Sequence, residues 1–78
     1  MFMNITEVAA RLTAGEELIA EVMRNPAELT EWLIWIRESS GKSFMLASDD
    51  NTLILSTDTT QLIHMLKSFG FRQATVIF

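Results

Sequence analysis

Residues 32 to 36 read Trp-Leu-Ile-Trp-Ile, five consecutive apolar side chains that a chain of only 78 residues must cover on every side. A helix with solvent on one side is apolar along a single stripe, and a strand with solvent on one side alternates. The run therefore belongs to the middle of whatever core forms, and its neighbours decide its conformation. Asn25-Pro26 starts a helix well, because proline fits the first helical position, and Glu28 follows at a capping distance. Leu29, Trp32, Leu33 and Ile36 then share one helical face, and Ser39-Ser40-Gly41 closes the segment. These signals predict a helix over 26–38. The same run is rich in aromatic and β-branched residues, so residues 32–38 could instead be a buried strand entering the Ser40-Gly41 turn.

The rest of the chain has few boundaries, with one proline and three glycines, and each marks an element end. Asn4 with Glu7 is a capping pattern ahead of Ile5, Val8, Ala9 and Leu12, which predicts a helix over 5–13. Thr13 with Glu16 repeats the pattern ahead of Leu18, Ile19, Val22 and Met23, which predicts a second helix over 14–24. Two short apolar runs, about 43–48 and 52–57, flank Asp49-Asp50-Asn51 and read as a hairpin. Asp58 with Gln61 opens a helix over 59–69 that Gly70 ends, and 72–78 closes as a strand. The expected class is α+β: one small domain, 1–78, with three N-terminal helices packed on a small, mostly antiparallel ββαβ sheet unit. If residues 32–38 are a strand, the sheet gains a member.

Composition narrows function more than it narrows fold. No cysteine is present, so there is no disulfide framework and no thiolate metal site, and stability must come from apolar packing or self-association. Met1-Phe2-Met3-Asn4 lacks the basic start and apolar run of a secretion signal, and no stretch approaches the roughly 18–20 apolar residues of a membrane span. A cytoplasmic protein is the expectation. Ten acidic residues against six basic ones give a net charge of −4, which opposes unaided binding to a phosphate backbone. A hydrophobic fraction of 49% in so short a chain leaves some apolar surface that stays exposed or meets a partner.

The motifs that could carry chemistry are incomplete. Gly41-Lys42-Ser43 ends like a phosphate-binding loop, but Ile36 stands where that loop needs its first glycine. Counted from Asp49 as a calcium loop, the sixth position is Ile54 in place of glycine and the twelfth is Thr60 in place of glutamate. His64 is the only histidine, and it falls opposite the Leu62, Leu66 and Phe69 face with no nucleophile or carboxylate fixed beside it by local spacing. Residues 5–12 resemble the supporting helix of a helix-turn-helix, yet the following segment presents Glu16, Glu17 and Glu21 where DNA recognition needs donors. Glu28 and Glu31 read, like those three, as solvated charges on caps or polar faces. No catalytic residue, cofactor or metal site is expected.

What remains is surface for association. A helix over 26–38 that buries Leu29, Leu33 and Ile36 would project Ile34 and Trp35 to its sides, with Trp32 nearby, and tryptophan is enriched at interface hot spots. The last strand, with Val76 and Phe78, carries no charge from Ala74 onward to discourage pairing at a sheet edge. Glu17 and Glu21 belong to an acidic first half that could steer the chain toward a basic partner. The expected function is a small acidic, non-enzymatic regulatory module that binds another protein, including an inhibitor of the phage type that covers a functional, basic surface. The alternative is a homo-oligomeric structural subunit joined through 26–38 or the C-terminal strand. Neither direct nucleic-acid binding nor membrane association is expected.

Overall fold

In the computed structural model, which describes all of residues 1–78, the elements run β1 (Phe2–Asn4), α1 (Ile5–Thr13), β2 (Leu18–Asn25), β3 (Glu28–Glu38), β4 (Ser43–Ala47), α2 (Thr59–Phe69) and β5 (Thr75–Ile77). The strands form one mixed sheet in the order β1-β4-β3-β2-β5. Its centre, β4-β3-β2, is antiparallel, and the edge strands β1 and β5 each run parallel to their neighbour. The α+β class agrees with the sequence, but with two helices and five strands.

Alternation along the strands explains the two layers. Ala20 and Val22 on β2, Trp32, Ile34 and Ile36 on β3, Leu46 on β4 and Met3 on β1 are buried in one cluster with Val8 of α1 and with Leu62 and Leu66 of α2. Successive strand residues point to opposite sides, so these positions define the helix-covered face. Ile34, Ile36, Leu46 and Leu62 have no solvent exposure at all.

Both helices occupy the residues their capping signals mark. The Asn4 side chain accepts a hydrogen bond from the Glu7 amide at 2.9 Å, and Asp58 accepts from the Thr60 amide at 2.9 Å. These bonds satisfy amides that a helix start leaves without partners. Gly70 ends α2 in the left-handed region at φ +113°, where a side chain would be strained.

The helices expected over 14–24 and 26–38 are instead the two longest strands. Thr13 and Glu16 do not cap a helix; Gly15, at φ +88°, turns the chain out of α1, and the Glu16 amide donates back to the Arg11 carbonyl at 3.0 Å. Leu18, Ala20 and Val22 then repeat every second residue, while Ile19 and Met23, which completed the helical stripe in sequence, lie on the other face of the strand. Asn25 uses its side chain to accept from the Ala27 amide at 3.0 Å, a tight turn joining β2 to β3 through Pro26-Ala27. Glu28 hydrogen-bonds forward to the Thr30 amide and hydroxyl, at 3.3 and 2.9 Å, and caps nothing. An extra strand over 32–38 is the reading closer to the structure, although β3 begins earlier, at Glu28.

The ββαβ unit is also revised. The turn after β4 forms as its residues imply, with Asn51 at φ +66° and the Ser48 amide donating to the Thr52 carbonyl at 2.8 Å. The return segment 52–57 is not a regular strand. It pairs with β4 only at Leu53 and then crosses to β3, where Ser56 and Trp32 exchange hydrogen bonds of 2.7 and 3.1 Å. A segment that changes partner within three residues sustains no ladder. The closing strand is trimmed to Thr75–Ile77 and is an edge, parallel to β2. β1, read in sequence only as the approach to a helix cap, pairs with β4.

Asp49 ties this turn to α1. Its carboxylate accepts from the Thr6 hydroxyl at 2.7 Å and from the Thr6 amide at 3.1 Å, at the start of the helix. These two bonds, the hydroxyl first, hold the Asp49 carboxyl below its ordinary value, and bonds from Ser48 and Thr52 do the same for Asp50. A depressed carboxylate contributes stability that is present above its unfolded value and is lost as pH falls through its folded value. Asp49→Ala is therefore expected to melt at a lower temperature than the parent at neutral pH. The gap should close in acid, below the native Asp49 value, when both are followed by circular dichroism over a pH series. A gap that persists unchanged into acid would show that the carboxylate is not the source.

Candidate interaction surface

The sheet's second face carries no helix. Across its middle, register places Phe2, Met45, Trp35 and Glu21 in one row from β1 to β2, with Thr75 of β5 beyond. The adjacent row runs from Leu33 through Met23 to Ile77, and on the other side Arg37 stands beside Ile19. Leu33 and Ala47 are already covered by their neighbours, at 3% and 0% exposure. Trp35, Met45 and Met23 are half-buried, while Phe2, Ile19 and Ile77 are 45%, 48% and 37% exposed. The surface is thus a partly packed apolar centre with open apolar corners.

One ion pair interrupts it. The Arg37 Nη2 donates to the Glu21 carboxylate at 3.2 Å, between neighbouring strands. Glu21 is the better covered of the two, with a side chain 18% exposed against 42% for Arg37. Each charge is compensated locally, so the face is close to neutral although the chain carries −4.

The anticipated interface residues separate onto different surfaces. Trp35 and Glu21 are cross-strand partners on the open face. Trp32 and Ile34 point the other way, into the helix-covered core, and Val76 packs against that core from β5. Phe78 is 92% exposed and sets its ring edge-on to Trp32, with centroids 6.0 Å apart and planes at 88°. Arg24 lies over the same indole, 4.6 Å from its centroid. Trp32 and Ile34, both anticipated at the interface, are core residues; the helical reading of 26–38 set Ile34 to one side of the helix and Trp32 on its core face beside the candidate patch. Phe2, Ile19, Met23, Met45, Ile77 and Arg37 were missed, because which way they face is set by cross-strand register and neither 18–23 nor 32–37 alternates clearly.

A second feature is a cleft of about 800 Å³ where β2 and the segment before β5 diverge, with Leu12, Ala20 and Phe71 in its lining. Glu16, Glu17 and Arg72 also line it and are exposed. Nearby, Arg11 holds three carboxylates together: Glu7 at 2.9 Å, Glu16 at 3.9 Å and Glu38. The Glu38 hydrogen bond is the main reason that the Arg11 guanidinium is held above its ordinary value. Arg11 thus clamps the end of α1 to the end of β3, which explains part of the acidic cluster as structure.

His64 is exposed on α2, and Gly41-Lys42 lie in the β3–β4 turn with Ser43 opening β4; the Gly41 amide donates to the Glu38 carbonyl at 2.9 Å. No group of three or more His, Cys, Asp or Glu side chains is arranged to hold a metal ion. No helix is long and apolar enough to cross a membrane.

The molecule is thus a small two-layer α+β protein, two helices on one face of a five-stranded mixed sheet whose other face carries no helix and is most open at Phe2, Ile19 and Ile77. No protein-family model, no curated protein and no solved structure matches the chain.

Proposed function

We propose that the protein is a non-catalytic docking module that acts by laying the open face of its sheet against a protein surface. One observation carries this reading: Trp35 sits half-buried in the middle of that face, with exposed Phe2, Ile19 and Ile77 around it. Contiguous apolar surface of this kind, rimmed by polar residues, is characteristic of interaction sites, and a central aromatic side chain supplies much of the binding energy at such sites. Regulation by covering a functional surface, as an inhibitor does, is the mode of action it supports. Because the face is neutral, the net charge of −4 would act on the approach to a basic partner, through association rate, and not within the contact itself.

The test is capture of partners by the tagged protein, at low and high salt, beside Trp35→Thr. Threonine keeps a β-forming residue on the strand and removes the ring. The expected result is a specific partner held by the parent and weakened at least about tenfold in the variant, with unchanged circular dichroism. Equal capture by parent and variant would overturn the reading.

A further inference from the structure

We infer that the open sheet face is occupied by a second copy of this chain, in a two-fold, face-to-face sheet sandwich; the inference rests on the reading of that face as a docking surface. Charge is the first reason. Beside Trp35 stand one acid and one base, Glu21 in its own row and Arg37 in the next row toward the β3–β4 turn, diagonal to each other on neighbouring strands. A foreign partner would need a matching pair in the inverse order. A two-fold axis between them supplies it automatically, placing each Glu21 over the other copy's Arg37.

Donor capacity points the same way. A guanidinium carries five N–H donors in a fixed fork, and Arg37 makes one hydrogen bond, through Nη2 to Glu21. Arg37 is the more exposed member of the pair, with a side chain 42% exposed, so its remaining donors are open to a carboxylate from outside the chain. The resulting ring of two acids and two bases satisfies the charges as water is excluded, which a single buried pair facing an apolar partner would not achieve.

Size is the third reason. Five strands of 3, 8, 11, 5 and 3 residues, at about 3.3 Å per residue and 4.8 Å between strands, give a face on the order of 500 Å². Two such faces meet over on the order of 1,000 Å² in total, the least that a specific interface needs, so the dimer is expected toward the upper end of a concentration series. A partner of this chain's own width covers the face completely. Paired sheets also pack well at this scale, with inner side chains interdigitating across about 10 Å.

The full chain should be followed by sedimentation velocity over a roughly hundredfold concentration range, because a dimer is revealed by mass action. Each copy carries −4, so the two repel at long range, and the dimer is expected to tighten as salt is raised, opposite to steering by a basic partner. Glu21→Arg and Arg37→Glu should each weaken self-association at least about tenfold, by setting like charges against like. Mixed together, these two variants should restore a heterodimer, since one face is then basic and the other acidic. That rescue separates an interface effect from misfolding.

A parent that stays monomeric throughout overturns the inference, as does self-association by either single variant at the parent's strength. Partner capture separates the two readings. A monomeric parent that still holds a foreign protein through Trp35 leaves the docking function standing and removes the second copy. A monomeric parent that holds nothing through Trp35 removes both.

Discussion

Trp32→Ala is expected to remove about 3–5 kcal/mol of unfolding free energy, the usual cost of emptying a large aromatic site in a core. For a domain of this length the whole stability is on the order of 4–12 kcal/mol, so the variant should lose a large fraction of it and unfold at a clearly lower urea concentration. Trp32 is 7% exposed on the helix-covered face, and its ring is flanked by the Arg24 guanidinium and by Phe78, so the loss includes a cation–π contact and an edge-on aromatic pair. Urea denaturation followed by circular dichroism measures it. The same assay on Trp35→Thr, three residues along the same strand, should show a much smaller shift, because that ring is only half-buried and lies on the other face. Equal losses at the two positions would mean that the two faces of β3 are not differently covered.

The second large effect is expected at Leu66. This side chain is 1% exposed and joins α2 to the shared cluster, so Leu66→Ala should lower stability by about 2–5 kcal/mol, in a single cooperative transition. Ile63, on the same helix but 37% exposed, serves as the control, and its alanine variant should lie within about 1 kcal/mol of the parent. A Leu66 variant with an unchanged denaturation midpoint would show that α2 contributes little to the core.

The helices could be read from sequence because their signals were chemical and local. Asn4 and Asp58 cap by side-chain hydrogen bonds that need only the next two or three residues, and Gly70 stops α2 through its own backbone freedom. The strands of the first half were hidden for two separate reasons. Thr13-x-x-Glu16 and Asn25-Pro26-x-Glu28 have the residue types of helix starts, yet such residues also make turns, and nothing local tells the two apart. β3 is the central strand, with apolar residues on both faces, so neither the helical period nor strict alternation stands out from Trp32 to Ile36. The choice was made by β2 and β4, which flank β3 on either side and fix its pairing.

The candidate surface was legible only in part for the same reason. Trp35 and Glu21 were noticed as residues, but their meeting depends on cross-strand register. Arg37 and the exposed corners Phe2 and Ile77 come from three different strands, two of them three residues long. Runs that short carry almost no periodicity, and only their neighbours in the sheet reveal which way they face.

The edge positions of β1 and β5 order the events of folding. β2 and β3 are joined by Pro26-Ala27 alone and can zip together early, because closing so short a loop costs little chain entropy. Phe2 must instead find Met45, and Glu21 must find Thr75, which are long loops to close before any contact offsets them. Assembly should therefore proceed from the middle of the sheet outward, and Phe2 and Ile77, the outer corners of the apolar face, arrive last. A half-folded chain would display the strands without that rim, so complete recognition would be a property of the finished molecule alone.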